Sequence, residues 1–78
     1  MNLAKSLRIG GRLRRVTLSA DYWAALEDIS ARECQSLEAL CMFAQQTHPD
    51  RPLASALHVF VMTYFKELAA RPTRHRLN

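Results

Sequence analysis

The stretch with the most chemistry to offer is Arg12-Leu13-Arg14-Arg15-Val16-Thr17-Leu18-Ser19, which holds three arginines and no acid. In an extended backbone its side chains alternate between two faces. Val16 and Leu18 share one face and must turn to a core, and Arg14 and Arg12 continue that face outward. Leu13, Arg15, Thr17 and Ser19 take the opposite face. An arginine fork bonds bidentately to guanine, a hydroxyl donates to or accepts from several bases, and an apolar side chain touches a thymine methyl. The major groove of B-DNA admits a two-stranded β-ribbon. Leu13, Arg15 and Thr17 are therefore base-contact candidates, and Arg12 and Arg14 are phosphate-contact candidates. One strand cannot form a ribbon alone, so this chemistry calls for a second chain whose strand pairs with the first.

Other chemistry has less support. Catalysis needs a nucleophile with a base, a metal set or paired acids in a pocket. His48, His58 and His75 fall in a turn, a helix and a tail, and His58 has no Cys, His, Asp or Glu three or four residues away. It reads as a surface or interface histidine. Cys34 lies at a helix junction and Cys41 in a helical stripe, where each is expected to be a small buried apolar residue. Glu27, Asp28 and Glu33 read as helix-surface charges. No glycine-rich phosphate loop is present. The chain is expected to be no enzyme and to carry no metal or cofactor. Ser36, at the start of a helix, offers a second anion-binding position, because free N–H groups and the helix dipole favour a phosphate there. An ordinary cap without a ligand explains the same residue.

Charge supports the polyanion reading. The net charge is +4, and residues 1–19 hold Lys5, Arg8, Arg12, Arg14 and Arg15 with no acid. Residues 20–50 hold six acids against Arg32 alone, and the tail adds Arg71, Arg74 and Arg76. Basic ends flanking an acidic middle fit nucleic acid or an anionic surface touched by the ends, and equally fit basic termini that only keep a small protein in solution. No apolar run approaches the ~20 residues of a membrane helix. With two isolated thiols and no secretory leader pattern, the reading is a reduced, cytoplasmic protein. At 78 residues a single core is marginal, so a second chain is the expected stabiliser.

Three helices must position the strand. Ser19 is a good N-cap with Asp21 in the first turn, and Tyr22, Trp23, Leu26 and Ile29 recur at helical spacing to an end near Glu33 or Cys34. Ser36 caps a second helix with Leu37, Leu40, Cys41 and Ala44 in its stripe, running to about Thr47. Residues 47–52 contain two prolines and an aspartate and read as a turn. A third helix runs from Leu53 to about Ala70 with Pro72 as its stop. Its Leu57, Phe60, Val61, Tyr64 and Phe65 make it apolar enough to be buried on much of its circumference, which points to a subunit interface. Val16, Leu18, Trp23, Leu26, Leu40, Leu57, Phe60, Val61 and Tyr64 are the candidate core and dimer residues. Residues 1–9 show no clear periodicity, Leu7-Arg8-Ile9 fits a short extended piece, and Gly10-Gly11 reads either as a hairpin turn or as a flexible joint. The division is a basic N-terminal arm over 1–11, a domain over 12–70 and a basic flexible tail over 71–78.

Taken together, these motifs resemble a family. Arg8-Ile9-Gly10-Gly11, Arg15-Val16-Thr17-Leu18-Ser19, Asp21-Tyr22-Trp23, Ser36-Leu37-Glu38-Ala39-Leu40 and Ser55-Ala56-Leu57-His58-Val59-Phe60-Val61 resemble the ribbon-helix-helix plan of Arc- and Met-repressor-like proteins, in a small bacterial branch with an extra helix. The resemblance covers roughly residues 7–69. It implies a mostly α fold with one β-strand, β-α-α plus a third helix, in an intertwined homodimer with an intermolecular antiparallel two-stranded ribbon. It implies Leu13, Arg15 and Thr17 at the bases, and Ser36 with Leu37 as a phosphate anchor. Where the superfamily often has glycine between its two helices, this chain has Cys34-Gln35, so a left-handed conformation at Cys34 is expected to be mildly strained. The function implied is a sequence-specific DNA-binding transcriptional repressor or autoregulator, with double-stranded DNA and a second copy as partners. The alternative is a dimeric, antitoxin-like interaction module that binds a protein partner through helix three, its basic arm incidental.

Overall fold

The structure, a computed structural model, describes residues 1–71. Its element order is β1 (Asn2–Ile9), β2 (Arg12–Ser19), α1 (Ala20–Glu33), α2 (Leu37–Thr47) and α3 (Leu53–Ala70). The expected stop at Pro72, His75 and the basic tail beyond Arg71 lie outside the described residues.

The chain carries two strands where the sequence reading expected one. Residues 2–9, treated there as most of a basic arm, pair antiparallel with β2 in the same chain, from Asn2 opposite Ser19 to Ile9 opposite Arg12. The second strand of the ribbon is thus β1, so the step from one strand to an obligatory second chain does not hold. Gly10 and Gly11 make the connection, with φ of 61° and 81°. A two-residue hairpin whose central residues both have positive φ matches the twist of its strands, and glycine adopts that backbone at least cost.

Long-range contacts hold β1 in place. Leu7 and Ile9 lie on the same ribbon face as Val16 and Leu18, and all four are buried. The Trp23 indole Nε1 donates to the Leu3 carbonyl at 2.9 Å, and the Ala20 N–H donates to the Met1 carbonyl at 2.9 Å. Lys5 shares the helix-side face, with its ammonium 5.1 Å from the centre of the Trp23 ring and 3.2 Å from a Glu27 carboxylate oxygen. The ion pair is exposed and contributes little, whereas the lysine stem helps cover the indole.

The helix boundaries follow their local signals. Ser19 Oγ accepts from the Tyr22 N–H at 3.3 Å, and Ser36 Oγ accepts from the Ala39 N–H at 3.0 Å. Asp21 lies in the first turn of α1 and Arg32, paired with Asp28, in its last, both favourable to the helix dipole. Cys34 is left-handed, with φ 55° and ψ 43°, so the junction keeps its left-handed turn without a glycine. Its N–H and that of Gln35 both donate to the Ser30 carbonyl, and Ser30 Oγ donates to the Gln35 carbonyl. A side chain in this region costs about 1–2 kcal/mol, partly offset by the entropy a glycine adds to the unfolded chain. Cys34 is exposed, so little packing is lost with its thiol. Cys34→Gly should gain about 0.5–1 kcal/mol and raise Tm by a few degrees. A thermal melt showing a lower Tm would mean that the thiol contributes to the junction.

The core lies between the helix-side face of the ribbon and the three helices. Trp23, Leu26 and Ile29 from α1, Leu40, Cys41 and Ala44 from α2, and Leu53, Ala56, Leu57 and Val61 from α3 join the four strand residues. Phe60 and Tyr64 are only partly buried. Nor is α3 buried on much of its circumference, as expected from its composition. Within one chain it buries a single stripe, and Met62 is 64% exposed.

Candidate nucleic-acid interface

The two faces of the hairpin differ, since its four buried residues all lie on the helix side. Directly opposed residues of an antiparallel pair share a face. The register therefore groups Ala4 with Thr17, Ser6 with Arg15 and Arg8 with Leu13 on the side away from the helices. All six are exposed. This is the face on which the base-contact candidates Leu13, Arg15 and Thr17 were placed, and the structure brings those three together there. Leu13 is 66% exposed. Cross-strand diagonal neighbours lie about 7–8 Å apart, so Arg8 and Arg15 are within reach of the same ligand.

Arg12 and Arg14 stand on the helix-side face, opposite Ile9 and Leu7 respectively, and both are exposed. They flank the outward face and do not belong to it. Arg14 also lies near α2, where its charge acts on Cys41. Ser36 and Leu37 form the start of α2, away from the hairpin in sequence. Ser36 is exposed and its hydroxyl is engaged as a cap, while Leu37 is half-buried against the core. The first N–H groups of a helix have no intrahelical partner, so the α2 terminus keeps donors for an anion. Glu38 in the same turn is a charge that such an anion must tolerate.

A family model for the ribbon-helix-helix domain matches residues 3–65, from β1 into α3. The chain belongs to the ribbon-helix-helix family. Comparisons with curated proteins and with solved structures give no match. Ribbon-helix-helix domains are in general DNA-binding regulators of transcription, typically without enzymatic activity, and generally pair as homodimers. No helix of the described residues is long and apolar enough to cross a membrane.

Sequence reasoning missed β1 as part of this ribbon-helix-helix site. A signal existed in Leu3, Leu7 and Ile9 at odd positions, the parity that a half-buried strand needs. Lys5 interrupts that pattern and hid it. His58, read as a surface or interface residue, is exposed and stacks on Tyr22, with ring centroids 4.2 Å apart and planes 18° from parallel.

The two thiols differ in the way their positions dictate. Burial first, and the Glu38 carboxylate second, push the Cys41 thiol up to about 11, against a smaller opposing effect of Arg14. Cys34 is exposed. Exposed Cys34 should be alkylated rapidly at pH 8 and buried Cys41 only on unfolding. Mass spectrometry of the timed reaction checks this. The unfolded chain ionises Cys41 near the ordinary thiol value of 9.0 and the folded chain only near 11, so this group weakens the fold as pH rises through that window.

Proposed function

We propose that the protein is a sequence-specific DNA-binding regulator, a transcriptional repressor or autoregulator, that reads the major groove with the outward face of its ribbon and acts in the cytoplasm as a homodimer. The observation that carries this reading is the sorting of the hairpin. Val16 and Leu18 are fixed in the core, and Leu13, Arg15 and Thr17 are consequently held outward on one exposed face. Arg15 has the donor geometry for guanine, Thr17 a hydroxyl that suits several bases, and Leu13 an apolar surface for a thymine methyl. Arg12, Arg14 and the start of α2 at Ser36 and Leu37 are the proposed phosphate contacts that set the register.

Two features support the homodimer. Family members generally pair, and Phe43 and Met62 leave apolar surface on the helices, 56% and 64% exposed. Sedimentation should show a dimer at micromolar concentration, and a folded monomer there would overturn this part of the proposal.

The function is tested by selecting binding sites from a random duplex pool. An enriched palindrome is the expected result, because two-fold symmetry in the protein selects it in the DNA. A pool with no enriched sequence, together with a steep salt dependence, would leave only nonspecific binding and overturn the reading. One observation favours a second role. A groove of about 550 Å³ between α2 and α3, lined by Leu40, Phe43, Ala44, Phe60 and Tyr64, provides an aromatic surface on helix three for a protein partner.

A further inference from the structure

We infer that β1 is a second reading strand, with Arg8 and Ser6 contacting DNA bases beside Arg15 and Thr17. This rests on the proposed ribbon reading and extends it to residues for which neither the composition nor the family match assigns a role. Two properties of the hairpin carry it. First, the register makes Arg8 and Ser6 part of the same exposed face as the proposed readers, with Ser6 directly opposite Arg15 and Arg8 directly opposite Leu13. Second, the face is chemically complete. It presents two arginine forks and the hydroxyls of Ser6 and Thr17, and no acid falls within residues 1–19 to neutralise them.

Arg8 is available for this task. Its one described polar contact is Nη1 to the Gly11 carbonyl at 3.5 Å, the outer limit of a hydrogen bond, and it is exposed. Lys5, by contrast, is committed on the other face to Glu27 and the Trp23 ring. The basic residues of β1 thus divide by parity, as those of β2 do. One braces the ribbon on α1, and the other is presented to a ligand. Two strands about 4.8 Å apart fit within a groove ~12 Å wide. The diagonal separation of Arg8 and Arg15, about 7–8 Å, corresponds to about two base-pair steps of 3.4 Å.

Site selection should be run on the wild-type full chain and on Arg8→Ala, Arg8→Lys and Arg15→Ala, with circular dichroism to confirm the fold of each. Arg8→Ala should lose preference at one base position, within about two steps of the position lost in Arg15→Ala, and bind the wild-type site about tenfold more weakly. Arg8→Lys should keep the salt dependence and still lose that preference, because lysine retains the charge without the bidentate fork. If Arg8→Ala enriches the wild-type sequence unchanged, or weakens binding evenly on all sequences as a phosphate contact would, the inference is wrong. In that case an altered preference in Arg15→Ala leaves the ribbon reading standing. If neither arginine alters the preference, or the wild-type chain enriches nothing, both fall.

Discussion

Trp23→Ala should cost about 3–5 kcal/mol, the range for deleting a buried aromatic. For a chain of 78 residues the whole stability is of order 4–12 kcal/mol, so this variant should lose a large share of it. The cost has three sources. The indole is 2% exposed, so its removal leaves a cavity among ribbon and helix side chains. Its N–H no longer satisfies the Leu3 carbonyl. Lys5 loses the ring it covers. Trp23→Phe separates these contributions, because it keeps much of the volume and discards the hydrogen bond. It should cost less than half as much and raise hydrogen exchange mainly in β1. Chemical denaturation at fixed protein concentration measures both. A Trp23→Ala midpoint equal to the wild type would mean that β1 is not anchored on α1, and the hairpin face would lose its support.

Arg15→Ala should remove the sequence preference of the protein at the contacted base, a loss of about 1–3 kcal/mol at that position. Arg15 is exposed and opposite Ser6, so the fold has little to lose by its truncation. The effect should appear as weaker binding to the selected site with binding to random duplex changed far less. Titrating both duplexes at one fixed salt concentration separates the two, since the phosphate contribution alone varies steeply with salt. A variant that binds the selected site as tightly as wild type would show that the ribbon does not read bases through Arg15. A loss that is equal on both duplexes would move Arg15 to the phosphate contacts.

Much of the fold was legible because it is local. Ser19 and Ser36 are both N-caps, and α1, α2 and α3 end where the sequence placed their boundaries. These outcomes depend on groups within a turn of one another. The division of β2 into an inner and an outer face was legible for a similar reason, since strand parity with Val16 and Leu18 fixes every other position.

The sequence by itself therefore determined the helices, their caps and which β2 side chains face outward. Only the tertiary structure decided what pairs with β2. Gly10-Gly11 permits a turn or a joint with nearly equal ease, because glycine takes many backbone conformations. The choice comes from contacts distant in sequence: the Trp23 indole on the Leu3 carbonyl, the Ala20 N–H on the Met1 carbonyl, and Leu7 and Ile9 entering a core shared with all three helices. Strand pairing is a nonlocal event, and Lys5 in the middle of β1 conceals its alternation from any reading confined to neighbours. That same packing turned Arg8 from a residue of an arm into a member of the outward face, beside Arg15.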